Sequence, residues 1–226
     1  MAKTIVISLG GSIVVPDKID VEFLKDFKKI IIDFVEKGNK AIIVCGGGKT
    51  CRRYQDAAAK VSNLRDEDLD WIGIHTTRLN AQLVKSLFLG IVHEEIIHNP
   101  NDNVDFKENV LIASGWKPGW STDYDAIRLA HNFNVKKVIN LSDVPYIYNK
   151  EPKNNHDARP IKDISWKNFR KMVGDKWDPG LNVPFDPIAS KEAEKLGLKV
   201  IILKGTDLDN FKNFLDKKEF NGTIIS

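Results

Sequence analysis

Cysteine is scarce in this sequence, which contains only Cys45 and Cys51 among its 226 residues. Their positions do not match the spacing of a cysteine-based zinc site, and no further cysteine stands elsewhere in the chain as a partner. A disulfide-stabilised secreted scaffold is therefore excluded, and we expect a reduced, cytoplasmic protein.

Long apolar runs and an excess of one charge sign are also missing. No segment approaches the length of a membrane span, and the first residues do not look like a signal peptide. The 34 basic and 31 acidic side chains leave a formal net charge of +3, which excludes broad electrostatic adhesion to nucleic acid or membranes. Any anion must therefore be bound by a local cluster.

Short apolar strands alternate with amphipathic helices along the chain. The β-branched run Thr4–Leu9 predicts a strand, residues 21–36 show apolar positions at helical spacing after the N-cap Asp20, and Lys40–Cys45 predicts a second strand. This order favours a parallel sheet with a right-handed crossover. Further strands are predicted at 110–113, 135–141, 199–203 and 222–225, and further helices at 54–61, 66–89, 124–132, 164–172, 187–196 and 208–215.

Loops are predicted at 142–152 and 174–185, with an exposed connection at 153–163 between two of the elements. The 66–89 helix carries Trp71, Ile72 and Leu79, which indicate either a core face or a subunit interface.

Three consecutive glycines, Gly46, Gly47 and Gly48, follow the second strand and precede a basic helical segment with Lys49, Arg52 and Arg53. Glycines let an oxyanion approach backbone N–H groups, and a helix N-terminus adds the positive end of its dipole. This pattern predicts a phosphate cradle. The alternative is a tight turn followed by solvated basic side chains.

Gly10, Gly11 and Ser12 follow the first strand and fit either a second phosphate turn or a plain turn. Other candidates have similarly ordinary alternatives. Asp70 can be a first-turn residue favoured by the helix dipole. Ser121 or Thr122 can cap the following helix, and Asp186, just before Pro187, can also be a helix cap. Tyr146 and Tyr148 either flank a nucleobase or pack against the sheet.

Seven blocks occur in one order over nearly the whole chain: LGGS (9–12), CGGGKTCRRY (45–54), IGIHTTRLNA (72–81), SGWKPGWSTD (114–123), DVPYIYNKEP (143–152), FDPIASKEAEKLGLKVII (185–202) and NGTII (221–225). Together they resemble the amino-acid kinase superfamily, and their spacing is most similar to that of its archaeal-type uridylate kinases.

The resemblance implies one three-layer α/β/α sandwich domain over residues 1–226, built around a mainly parallel sheet. The acceptor would bind mainly to residues 1–133 and ATP mainly to 134–226. The implied reaction transfers the γ-phosphoryl group of ATP to UMP, a step of pyrimidine nucleotide biosynthesis. Mg²⁺ would be carried by the nucleotide without a protein metal site, the partners would be small nucleotides, and the chain would form hexamers or dimers.

The resemblance also assigns roles to individual residues. Catalytic roles fall to Gly11, Ser12, Arg52 and Asp186, with Asp186 organising cationic groups near the transferred phosphoryl. The acceptor-binding residues would be Gly46, Gly47, Asp70, Trp116, Ser121 and Thr122. The ATP-binding residues would be Gly10, Gly48, Ser142, Asp143, Tyr148 and Glu151.

Two positions depart from the family pattern. Ser8 stands where many members of the superfamily have a lysine, although the archaeal branch often lacks it, and Lys3 and Lys49 are the candidates to supply that charge. Pro145–Tyr146 replaces an Asp-Gly pair on the ATP side, which removes a backbone donor.

Two alternative functions therefore remain open. One is a kinase of the same superfamily for isopentenyl phosphate or carbamate, although the histidine of the former branch is missing after the glycine triplet. The other is a nucleotide-binding or oxyanion-binding protein without turnover.

Overall fold

The computed structural model describes residues 3–152, 154–174 and 184–226. The strands are β1 (Thr4–Leu9), β2 (Lys40–Cys45), β3 (Val110–Ala113), β4 (Lys137–Ser142), β5 (Ile147–Tyr148), β6 (Pro160–Ile161), β7 (Asp163–Ile164), β8 (Lys199–Lys204) and β9 (Thr223–Ile225). The helices are α1 (Gly11–Val14), α2 (Val21–Val35), α3 (Gly48–Val61), α4 (Asp66–Ser86), α5 (Thr122–Asn132), α6 (Trp166–Val173), α7 (Pro187–Lys195) and α8 (Leu208–Leu215).

A seven-stranded sheet forms the middle of the molecule, with the strand order β3-β2-β1-β4-β8-β9-β7. The pairs among the first five strands are all parallel, whereas β9 runs antiparallel to β8. After β1, the chain adds β2 and then β3 on one side of it; β4 then pairs with the other side of β1, and β8 follows beyond β4. The crevice at such a reversal point, outside the carboxyl ends of the strands, is where open α/β sheets bind ligands.

Side-chain alternation along the central strands builds two cores. In β1, Ile5, Ile7 and Leu9 pack with the apolar faces of α2 and α8, while Val6 faces the core formed with α5, α6 and α7. Helices therefore cover both faces of a mostly parallel sheet. The predicted three-layer α/β/α class is confirmed.

Several predicted boundaries are wrong. Val135 belongs to the turn that closes α5, where its N–H donates to the Ala130 carbonyl at 2.7 Å, and β4 begins only at Lys137. Ile164 is part of β7 and not of a helix, since Ser165 caps α6 by accepting from the Asn168 N–H. The glycine turn after β1 opens directly into the short helix α1.

The segment that was predicted as a loop and an exposed connection contains three short strands. β5 and β6 form an antiparallel pair, and β7 adds to the sheet edge beside β9. The predicted loop at 174–185 lies mostly outside the described residues. None of the helices in the described ranges is long and apolar enough to cross a membrane.

Candidate active site

The two glycine turns at the carboxyl edge of the sheet touch each other through their backbones. A Cβ on Gly48, whose φ is +63°, would lie 2.2 Å from the carbonyl carbon of Gly11 and 2.5 Å from the nitrogen of Ser12. A Cβ on Gly11 would lie 2.4 Å from both the Gly46 oxygen and the Gly48 nitrogen. Only residues without a side chain fit this junction, so α1 and α3 begin at the same point.

Hydrogen bonds from neighbouring strands and from α4 hold the junction. Gly10 N–H donates to the Leu141 carbonyl at 3.1 Å, and Gly46 N–H donates to the Leu9 carbonyl at 2.9 Å. The Asn80 amide, buried in α4, donates to the Gly46 carbonyl at 2.7 Å. No side chain among the described residues caps α3 at Gly47. Its first N–H groups are therefore available to an anion.

A guanidinium group bridges the two turns. Arg52 Nη2 donates to Ser12 Oγ at 2.9 Å, which places a fixed positive charge over the Gly11–Gly48 contact. The adjacent Arg53 turns away and forms an ion pair with Asp17. Lys49 is exposed. Of the three predicted cations, Arg52 is the one that contacts the other glycine turn.

The loop of residues 114–121 after β3 is tied to α4 and α5 by three backbone donors. Gly115 N–H donates to Thr77 Oγ1 at 2.8 Å, and Gly119 N–H donates to Asp70 Oδ2 at 2.8 Å. Trp116 N–H donates to Asp125 Oδ2 at 3.2 Å. The structure thus brings Asp70 and Trp116, both predicted on the acceptor side, into one wall.

Aromatic rings stiffen this wall, and its last hydroxyl caps a helix. The Trp116 and Trp120 rings stack at 6.1 Å, and Trp120 lies 4.1 Å from the Tyr124 ring. Ser121 Oγ accepts from the Tyr124 N–H at 3.2 Å, so it is the N-cap of α5, and Thr122 is the first helical residue.

A carboxyl group that the sequence analysis missed lies at the floor of this edge. Asp123 Oδ1 accepts from Ser8 Oγ at 2.9 Å and from Asn140 Nδ2 at 3.1 Å, and its Oδ2 accepts from the Asp186 N–H at 3.3 Å. Asp123 thereby joins β1, β4 and the start of α7. The sequence offers one signal for it: Asp123 is an acid in the block SGWKPGWSTD and lies in the first turn of α5, where Ser121 already serves as the cap.

Asp186 shares this floor and is the N-cap of α7, as its place before Pro187 predicts. Only 4% exposed, it caps α7 through the Ala189 N–H at 2.5 Å, and its Oδ2 has no hydrogen-bond partner among the described residues. Among the described residues no lysine or arginine pairs with Asp186. Its expected role, organising cationic groups near the transferred phosphoryl, stays a prediction. Its charged neighbour is Asp123.

The pKa values of these carboxyl groups are raised. Removal from water and the nearby Asp186 raise the pKa of Asp123 to about 7. Burial raises the pKa of Asp186 to about 6. Burial also raises the pKa of Asp125, which is 1% exposed and whose Oδ1 has no partner in the described structure. Protonated carboxyl groups therefore persist at this edge towards neutral pH.

The predicted ATP-side residues lie across the junction from the aromatic wall. Ser142 ends β4 and donates to Asp143 Oδ1 at 3.4 Å. Tyr148 lies in β5, and the exposed Glu151 follows it. The Tyr146 and Tyr148 rings meet edge to face at 80° and 6.3 Å, so they do not form the parallel walls expected of residues that flank a nucleobase.

The Pro145–Tyr146 departure has a structural use. Tyr146 Oη donates to Asn221 Oδ1 at 2.9 Å, and the following Ile147 N–H donates to Thr223 Oγ1 at 2.9 Å. Both bonds fix the start of β5 onto the chain at β9. The replacement of a glycine by tyrosine therefore gives this loop an anchor that glycine could not supply.

A profile of the amino acid kinase family matches residues 3–204. The uridylate kinase of Thermoplasma volcanium is 32% identical over 222 residues, which are 96% of this chain and 95% of that protein. This chain belongs to the amino acid kinase family. The uridylate kinase of Methanocorpusculum labreanum is 30% identical over 226 residues, covering 98% of this chain and 94% of the relative.

Solved structures agree with this membership. The crystal structure of uridylate kinase from Archaeoglobus fulgidus superposes with a TM-score of 0.82 at 29% identity, covering 99% of this chain and 100% of that chain. The UMP kinase of Bacillus anthracis, at 17% identity and a TM-score of 0.75, shares the fold. The predicted resemblance to the amino acid kinase superfamily is confirmed.

In this amino acid kinase family member, the position of the superfamily lysine contacts Asp123. Ser8 Oγ donates to the Asp123 carboxylate, so a neutral hydroxyl fills the position. Lys3 cannot substitute for the lysine, because it precedes β1 and lies at the opposite edge of the sheet, about 20 Å away at about 3.3 Å per strand residue. That suggested replacement is wrong.

The closeness of the two glycine turns predicts a large cost for Gly48→Ala. A Cβ in this left-handed conformation costs about 1 kcal/mol, and the collision with Gly11 adds about 2 kcal/mol. Urea denaturation should show the free energy of unfolding lowered by about 3 kcal/mol. Gly90→Ala is the matched control, because Gly90 has φ +89° but open space around its Cβ. Equal losses in the two variants would contradict the proposed steric contact.

Proposed function

We propose that this protein transfers the γ-phosphoryl group of ATP to the phosphate of UMP. The observation that carries the proposal is the backbone contact between two phosphate-type glycine turns, with Arg52 reaching from one to the other. One turn serves each nucleotide, so their phosphates meet at the contact. Relatives that are uridylate kinases by name share about a third or less of this sequence over nearly its whole length.

Positioning and charge neutralisation supply the catalysis. Gly10, Gly11 and Ser12 hold the phosphates of ATP. Gly46 and Gly47, which lead into α3, hold the phosphate of UMP together with the uncapped N–H groups of the first turn of that helix. Gly48 and Arg52 stand between the two, close to the group in transit. Phosphoryl transfer needs its two oxygens in line and the spreading negative charge neutralised, without a covalent intermediate on the protein. Backbone N–H groups, a helix N-terminus and one guanidinium meet both requirements.

The acceptor nucleoside binds along the wall formed by α4 and the 114–121 loop. Asp70 hydrogen-bonds the ribose and also holds the Gly119 N–H, so one carboxylate couples the loop to the acceptor. Trp116, Ser121 and Thr122 complete the contacts to UMP. The ATP nucleoside lies on the other side, bordered by Ser142, Asp143, Tyr148 and Glu151. Residues 1–133 thus form mainly the acceptor half of the single domain and residues 134–226 the ATP half.

Mg²⁺ enters with ATP, and it neutralises phosphate charge when it is bound. The partnerless Oδ2 of Asp186 fits that ion, because carboxylate oxygens are the ligands Mg²⁺ and its waters prefer. No group of three or more metal-ligating side chains is found among the residues described here. Asp123 positions Asp186 and Ser8 beneath the junction, through its three hydrogen bonds.

Self-association accounts for apolar side chains that α3 and α4 leave exposed. Leu79 is 65% exposed and Tyr54 is 66% exposed, so the face with Leu79 is not part of the core. A homo-oligomer, as a dimer or a hexamer, would cover it. The unpaired thiols of Cys45 and Cys51 suit a reducing cytoplasm.

Release of ADP in a coupled assay tests the proposed reaction. UMP, CMP, isopentenyl phosphate and carbamate are offered separately with ATP and Mg²⁺. We expect UMP to give the highest kcat/KM, because the proposed acceptor side offers Asp70 for a ribose and a glycine turn for a phosphate. Turnover with UMP no faster than with the other three acceptors would contradict the proposal, and calorimetric ATP binding without turnover would identify a binding protein.

Arg52→Ala should lower kcat about 100-fold or more, because it removes the positive charge at the group in transit. Arg53→Ala is the matched control, since Arg53 is the next residue and pairs with Asp17 away from the junction. We expect its kcat within about twofold of the parent value, as for an exposed ion pair. Steady-state kinetics with UMP compare the three proteins, and an Arg52→Ala enzyme with unchanged kcat would contradict the assignment.

Asp123→Asn should raise stability and lower activity together. The folded-state pKa of Asp123, about 7, exceeds the ordinary unfolded value, so the folded protein binds the extra proton and loses stability as pH rises from about 4 to 7. Asparagine does not titrate, so the variant does not lose this stability. The difference in melting temperature between the variant and the parent should therefore grow as pH rises from about 4 to 7. Its kcat should fall about 10- to 100-fold, because Ser8 and Asp186 lose their alignment.

Asp125→Asn separates these two effects. Burial raises the pKa of Asp125, so the melting temperature of Asp125→Asn relative to the parent should also increase as pH rises. The amide oxygen of the asparagine can still accept from the Trp116 N–H. We expect nearly parental kcat. A comparable loss of kcat in both variants would show that Asp123 has no special place in the reaction.

A further inference from the structure

A second cavity lies at the amino ends of the central strands, at the edge opposite the glycine turns. It has a volume of about 730 Å³, within the range of small-molecule sites. The starts of β1 and β4, the segment 133–137 after α5, and four residues around the end of α8 line it, namely Phe214, Lys217, Lys218 and Phe220. Six-residue strands separate it from the phosphate junction by about 20 Å.

Lysine dominates the charged lining of this cavity. Five lysines line it and no aspartate or glutamate does: Lys3, Lys136, Lys137, Lys217 and Lys218. None of the five forms an ion pair with a described carboxylate. Partial burial lowers the pKa of Lys3, and so do the charges of Lys137 and Lys217. In a chain of net charge +3, five crowded cations are a local excess that an anion would relieve.

The rest of the lining is aromatic and aliphatic. The rings of Phe214 and Phe220 meet edge to face, with centroids 5.0 Å apart. Phe133, the residue after α5, also lines the cavity. Buried Ile5 and Ile139 line it as well. The cavity therefore offers an apolar surface next to concentrated positive charge.

The backbone supports the same site. Asn134 and Lys217, with φ of 54° and 60°, are the non-glycine residues with positive φ in the described chain, and both line the cavity. Each follows the end of a helix, where glycine usually takes this conformation. A lysine there costs about 1 kcal/mol more than glycine, so the side chain is kept at a cost to stability. Helix C-termini account for cations at Lys217 and Lys218, but not for Lys3 beside them.

We propose that this cavity binds an organic polyanion, namely an aromatic or similarly apolar body that carries two or more phosphate, sulfonate or carboxylate groups. The apolar body packs on Phe133, Phe214 and Phe220, and the lysines neutralise the anionic groups. This site is separate from the nucleotide-binding junction and holds its ligand whether or not that junction is filled.

Pyranine, a fluorescent aromatic trisulfonate, is a suitable probe of this chemistry. Its fluorescence anisotropy is titrated with the full chain, alone and with saturating UMP and a non-hydrolysable ATP analogue. We expect saturable binding that persists with both nucleotides present and weakens as salt rises. Displacement of pyranine by the nucleotides would place it at the junction and overturn the proposal.

Lys217→Gly tests the site without disturbing the fold, because φ of +60° suits glycine. We expect the Kd of pyranine to rise about fivefold, as for loss of one ion pair at an accessible site, and Lys217→Arg to keep the parental Kd. Lys167→Ala, whose side chain is exposed on α6, controls for adhesion to any lysine, and the melting temperature of Lys217→Gly checks that the glycine leaves the fold intact. Parental Kd in Lys217→Gly, or equal weakening in Lys167→Ala, would overturn the proposal.

Discussion

The fold of the site depends on one contact, in which the backbones of Gly11 and Gly48 approach closer than any side chain allows. β1 and β2 are adjacent parallel strands, so their carboxyl ends necessarily emerge side by side. Because glycine has no Cβ, the two turns can approach until their backbones touch. Two polyanions can then be brought together where water and side chains would otherwise keep them apart.

The charge arrangement around that contact divides into two layers. Above it, the N-terminus of α3 and the guanidinium of Arg52 supply positive potential. Beneath it, Asp123 and Asp186 lie close together, and their raised pKa values show that the site tolerates carboxyl groups it would be more stable without. Ser8 adds a hydroxyl to this floor in place of a cation. Destabilising groups retained at such a position are typical of functional sites.

Much of this arrangement could be predicted from local patterns. Buried β-branched runs identify β1, β2 and β3 with their observed bounds, and the glycines after them mark the edge where the site lies. The short strands β5, β6 and β7 could not be predicted, because two-residue strands carry no periodicity and exist through bonds such as Ile147 to Thr223.

Contacts between distant residues set the remaining limits. Asp123 of α5 reaches Ser8 across 115 positions, and that pairing follows only once α5 packs against β1. Lys3 fails as a replacement cation for the same reason, since strand direction decides which edge a residue occupies. The five lysines around the second cavity are spread over the chain in three places, so their crowding emerges only in the folded molecule.

A crystal structure with UMP and a non-hydrolysable ATP analogue tests the central claim most directly. The two nucleotides should bind on opposite sides of the Gly11–Gly48 contact, with the UMP phosphate at the start of α3 and the terminal phosphate of the analogue within hydrogen-bond reach of Arg52. Phosphates bound away from either glycine turn, or both nucleotides competing for one turn, would contradict the account.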